Sequence, residues 1–270
     1  MKGPGTKFSR FLLLCIFIVF ACQTVPITGR QQLSIIPAGE VLSMSATSYK
    51  GFLSEHTVIT DTNDAEMVKM VGGRIQHAVE KYFSENNLSG RLKGYEWEFN
   101  LVDDKAVNAW CMPGGKVVVY TGILPIAEDE RGLAVVMGHE IAHAVANHGD
   151  ERMSQALIAQ MGGMALSTAL AKKPSQTSDL FMTAYGMGAQ VGVLLPFSRV
   201  QESESDRLGL IFMAIAGYDP HEAPEFWRRM SSGKKGSAPP EFLSTHPADE
   251  TRISNLKRHM DEAMSYYRKQ

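Results

Sequence analysis

The pentapeptide His139-Glu140-Ile141-Ala142-His143 constrains this chain more than any other stretch. Leu133, Ala134, Val135, Val136 and Met137 precede it, and Ile141, Ala142, Ala144 and Val145 fill its remaining positions and continue the run. Such a run predicts a buried helix, over 128–147. Residues four apart on a helix differ by about 40° around the axis, so both imidazoles leave one side, one turn apart. Two nitrogens then converge on one point, and Glu140 reaches a water held there. A core helix with incidental polar residues would bury three such groups without compensation, which is costly. The pattern therefore points to a metal ion with a carboxylate base beside it.

A catalytic zinc site takes three protein ligands and leaves one position open. The extended metzincin motif requires glycine and histidine where this chain has Ala146 and Gly149. His148 is one place off, and is expected to cap the helix end, where a partly positive imidazole is favoured. A glutamate from a later helix is the alternative, and Glu202-Ser203-Glu204-Ser205-Asp206, after Ser198-Arg199, supplies it. Glu202 and Asp206 are four apart and share a face, while Glu204 points elsewhere. One carboxylate takes the metal, and Asp206 accepts the other ring N–H of a ligand histidine.

Four blocks in order resemble a known family. They are residues 108–122 (Asn108-Ala109-Trp110-Cys111-Met112-Pro113-Gly114-Gly115-Lys116-Val117-Val118-Val119-Tyr120-Thr121-Gly122), the HEIAH stretch, Ser198-Arg199 with 202–206, and Ser244-Thr245-His246-Pro247 with Arg252. This series is similar to metallopeptidase family 48, which includes the HtpX-type membrane proteases, the CAAX prenyl endopeptidases and periplasmic quality-control lipoproteins. The similarity runs from about residue 40 to the end, and the lipoprotein branch is the expected placement. It implies a gluzincin fold with one zinc per chain on His139, His143 and Glu202. It also implies that His246 and Arg252 face the metal, where they stabilise an oxyanion, or His246 fills the open position at rest. Ser205 departs from the commoner alanine before Asp206.

Elsewhere the spacing of apolar residues predicts helices over 40–53, 64–83, 151–171, 179–195, 199–216, 220–230 and 249–267. Residues 95–102 alternate as a strand, 113–115 turn, and 116–121 carry a β-branched run. Helices flanking a small sheet make an α+β fold. Val117, Val118 and Val119 are expected to form an edge strand that pairs with an extended substrate, with Asn108 beside it. Residues 180–197 hold no charge over 18 positions, and read as a core helix softened by glycines rather than a membrane-contacting one.

The N-terminus carries Lys2, Lys7 and Arg10 ahead of an apolar run over 11–20, too short to span a bilayer. Val19-Phe20-Ala21-Cys22 resembles a bacterial lipobox, so residues 1–21 are expected as signal peptide, Cys22 as the lipidated residue, 22–38 as a tether and 39–270 as the peptidase domain. Gln23 is not an inner-membrane retention signal, which favours the outer membrane. Only Cys111 then remains, so no intramolecular disulfide forms. Residues 22–270 hold 24 basic and 29 acidic side chains, a balance of −5 that excludes a nucleic-acid footprint.

Together these readings predict a zinc endopeptidase of misfolded or unassembled envelope proteins. Glu140 acts as base, and a lipid anchors the chain to the membrane. Two other readings compete with it. One is a metal-dependent chaperone or assembly factor whose site is blocked by His246. The other is a structural zinc lipoprotein with four permanent ligands, for which Glu140 would be superfluous.

Overall fold

The computed structural model describes residues 22–161, 198–232, 241–246 and 250–267. The expected signal peptide, the end of the helix expected over 151–171, the helix expected over 179–195 with the uncharged run at 180–197, residues 233–240 and Pro247 lie outside the described residues. No helix among the described residues is long and apolar enough to cross a membrane.

The fold is α+β and mainly helical, as the periodicity predicts. A hairpin of β1 (Cys22–Thr24) and β2 (Gln31–Leu33) is followed by α1 (Ala38–Glu55), β3 (Val58–Ile59) and α2 (Asn63–Glu85). Then come β4 (Glu98–Val102), β5 (Ala109–Met112) and β6 (Lys116–Tyr120). The helices α3 (Leu124–Ala127), α4 (Glu130–Val145) and α5 (His148–Met161) lead into α6 (Arg199–Ile215). The last elements are α7 (Glu222–Ser232), α8 (Glu241–Thr245), α9 (Glu250–Arg258) and α10 (Met260–Tyr266).

The main sheet runs β3-β4-β6-β5, with β4 and β6 parallel at its centre and an antiparallel strand on each edge. This corrects the expected role of Val117, Val118 and Val119. They lie in an inner strand paired on both sides, and the edge beside the motif belongs to β5. The cause is visible in the composition of β6: all five of its residues are buried, as a strand covered on both faces requires. Val117 and Val119 pack into the core built with α2, α4 and α6, while Val118 and Tyr120 join a second cluster with Trp110 and Phe52. The β5–β6 turn needs Gly114 and Gly115, whose φ values of 84° and 77° are left-handed.

The helix expected over 128–147 starts later. Glu128 takes φ 66°, and the Asp129 carboxylate accepts from the backbone N–H groups of Arg131 and Gly132, which caps α4. Every residue of α4 from Gly132 to Val145 is buried. α4 packs on α6 at a glycine contact: a Cβ on Gly138 would lie 3.3 Å from the Gly209 carbonyl oxygen. Close approach there brings the two ligand-bearing faces together. The stretch expected as a tether is also folded, because Val25 is 1% exposed within the core and Arg30 reaches two buried carboxylates.

Candidate metal centre

α4 contributes His139, Glu140 and His143; α6 contributes Glu202 and Asp206; His246 follows α8, and Arg252 lies on α9. α6 begins with a capping box, in which the Ser198 hydroxyl takes the Gln201 N–H and Gln201 returns to Ser198. That cap sets the first turn, which holds Glu202. All seven side chains are buried.

The donor atoms of His139, His143, Glu202 and His246 lie within 4.8 Å of one another. Nε2 of His143 stands 3.0 Å from Nε2 of His139 and 3.2 Å from Glu202 Oε1. His139 Nε2 is 3.6 Å from Glu202 Oε2 and 3.2 Å from His246 Nδ1, which is 2.8 Å from Glu202 Oε1. Ligands at about 2.0–2.1 Å from a tetrahedral ion stand about 3.3 Å apart. These separations, and buried ring nitrogens that face each other, fit one shared cation.

Glu140 is not part of that ring of donors. Its Oε1 has no hydrogen-bond partner among the described residues, and its nearest ionic neighbour is His246 Nε2 at 3.5 Å. Burial pushes its carboxyl above the usual range, which suits a base. Glu202 shows the reverse. Burial would raise it, but His246, Arg252 and the two motif histidines hold it well below its usual value. Burial pulls the His139 imidazole down, yet its bonds to Asp206 and Glu202 prevail and hold it at about 9. His139 Nδ1 is 3.0 Å from Asp206 Oδ1, as the spacing of Glu202 and Asp206 predicts.

Residues 71–260 match peptidase family M48. The chain belongs to that family. It is 30% identical over 245 residues to the mitochondrial metalloendopeptidase OMA1 of Schizosaccharomyces pombe, a match that covers 89% of this chain and 67% of that protein. The Arabidopsis thaliana OMA1 is 35% identical over 198 residues, covering 72% and 38%. The beta-barrel assembly-enhancing protease of Escherichia coli is 25% identical over 248 residues, covering 90% and 48%. The chain thus spans from about two-fifths to two-thirds of the length of these relatives. The M48 domain is a metalloendopeptidase domain, the enzyme class that the motif predicts.

The comparisons overturn one expectation. The similar metalloendopeptidases from fission yeast, baker's yeast, Arabidopsis and cattle are named as mitochondrial. They point away from the bacterial outer membrane inferred from the N-terminus.

Two residues take parts in this M48 site that helix geometry alone does not reveal. His148 opens α5 rather than capping α4, because Asn147 reverses the chain at φ 59°. Its fully buried ring lies 3.0 Å from His143 Nδ1 and 3.1 Å from Glu204. Glu204 does point away from the cluster, but towards a second buried network. Arg252, expected at an oxyanion, is committed to Glu202 Oε2 at 2.8 Å and Asp206 Oδ1 at 2.6 Å. Its guanidinium carbon sits over the Trp227 ring, 3.3 Å from the ring centre.

Proposed function

We propose that this M48 domain is a zinc-dependent endopeptidase that cleaves extended segments of misfolded or unassembled proteins. One observation carries the reading: three donors on α4 and α6 converge while Glu140, on the same helix turn, stays outside them with an oxygen unbonded. His139, His143 and Glu202 hold the ion. When bound, zinc supplies Lewis acidity and brings the pKa of water towards about 7. Glu140 takes the proton of the attacking water and delivers it to the leaving amine. Asp206 accepts from His139 Nδ1 and so keeps Nε2 turned to the cluster. Arg252 braces Glu202 and Asp206 together.

The substrate backbone pairs with β5. Tyr120 N–H donates to the Asn108 carbonyl, so the antiparallel alternation turns the backbone groups of Ala109 and Cys111 outward. No strand pairs with that side among the described residues. Asn108 stays at the site, since its Oδ1 holds the outward Ala109 N–H at 2.9 Å. Main-chain pairing gives affinity with little sequence preference, which suits unfolded substrates. His246 supports a restrained resting state, because its Nδ1 stands at the remaining corner of the donor cluster.

Zinc content and cleavage of unfolded casein, compared in wild type and Glu140→Gln, test the proposal. Both proteins should hold about one zinc per chain, and only the wild type should cleave. Casein cleavage that survives in Glu140→Gln, or a wild type without zinc, would overturn it.

A further inference from the structure

The two motif histidines are braced in parallel ways, and only the brace on His139 enters the chemistry proposed above. His139 leans on Asp206, which leans on Arg252. On the other side His143 leans on His148, which leans on Glu204, which is gripped by Arg30 of the N-terminal hairpin.

The protons along this second line can be assigned from geometry. His143 turns Nε2 to the donor cluster, so Nδ1 carries its hydrogen and donates to His148 Nδ1 at 3.0 Å. The His148 hydrogen then sits on Nε2 and donates to Glu204 Oε2 at 3.1 Å. The Ser205 hydroxyl lies 3.2 Å from His148 Nδ1, which gives this departure from the family pattern a contact within the line. Glu204 is saturated from the hairpin side. The Thr28 hydroxyl donates to Oε1 at 2.6 Å, and Arg30 Nε lies 3.0 Å from each carboxylate oxygen. The remaining nitrogens of Arg30 fork onto Glu151 of α5 at 2.7 and 2.8 Å, and Gln201 Nε2 donates to the same carboxylate at 2.7 Å. Every link from His143 to Glu204 and on to Arg30 is a buried or partly buried contact between a donor and an acceptor.

We propose that His148, Glu204 and Arg30 are positioning residues that fix the orientation and tautomer of the His143 ring, so that the β1–β2 hairpin completes the metal centre. The inference rests on His143 being a ligand. Its physical basis is general: a ligand imidazole whose second nitrogen is held by an acceptor loses rotational freedom and gains basicity. A hairpin tip that supplied only packing would need no bidentate arginine joining the acidic residues of two helices. Such an ion pair adds little net stability, so its forked geometry is what the fold gains from it.

Zinc retention by the whole chain against a competing chelator, together with the visible absorption of the cobalt-loaded protein, tests the relay. His148→Leu and Arg30→Met should weaken zinc binding by about tenfold or more and shift the cobalt bands. His148→Gln should recover part of the loss, since its amide oxygen can accept from His143 Nδ1–H. Glu202→Ala, which removes a ligand, marks complete loss. If wild type holds zinc and Glu202→Ala does not, unchanged retention and spectra in His148→Leu and Arg30→Met would overturn the relay and leave the metal centre standing. Absence of zinc from wild type would instead remove the centre itself. Where His148→Leu does not fold, Arg30→Met carries the test, because Arg30 is partly exposed at the hairpin tip.

Discussion

Gly138 and Gly209 touch where α4 crosses α6, and a Cβ on Gly209 would stand 3.1 Å from the backbone nitrogen of His139. The ligands of the two helices meet because these two positions carry no side chain. Gly209→Val should push the helices apart, at about 1–3 kcal/mol of stability. Thermal unfolding and metal analysis read both effects: a lower melting temperature and less zinc per chain. Unchanged zinc content would show that the crossing tolerates a wider spacing.

Glu202 and Asp206 share a helix face but differ in what they do there. Glu202→Ala should bring zinc well below one per chain. Asp206→Asn should keep the metal with about 10–100-fold weaker affinity, because only the partner of His139 changes. Metal analysis and chelator competition on the two variants decide it, and equal behaviour would mean that the ligand is assigned to the wrong carboxylate.

His246 lies within 3.2 Å of both His139 and Glu202, at the corner that water or a substrate carbonyl needs. His246→Ala should therefore raise basal cleavage of an unfolded protein at equal zinc content. A fall of about a hundred-fold or more would instead assign the side chain to oxyanion stabilisation, worth about 2–4 kcal/mol.

Asp150 is buried against the hydroxyls of Ser34 and Ser154, and burial raises its carboxyl to about 6. A raised folded value means that the native state binds the proton more tightly than the unfolded chain does. The stability this adds is present below the unfolded pKa, about 3.9, and fades as pH rises through the folded value of about 6. Asp150→Asn should remove that dependence and be more stable near pH 7, by up to about 3 kcal/mol. Denaturant unfolding from pH 4 to 7 checks it: parallel stability curves for wild type and variant would contradict the shift.

Helix periodicity made much of the centre legible in advance. Four-residue spacing places His139 with His143 and Glu202 with Asp206 whatever the helices pack on, because the angle between such side chains is set within one turn. The apolar run around HEIAH likewise dictated burial of α4. Three matters were decided only in three dimensions. Val117, Val118 and Val119 read as an edge strand until β5 paired with the outer side of β6, since strand partners are chosen by long-range hydrogen bonding rather than by local spacing. Glu204 lies two residues from Glu202, and so faces away from the metal as spacing requires. What stands on that face is set by the return of Asn147 and the docking of the hairpin. The stretch from Cys22 reads as a tether because its residues are polar and mixed, with no periodic apolar face. It became part of the fold because Glu151 and Glu204, brought together by α5 and α6, leave two buried negative charges that need a cation.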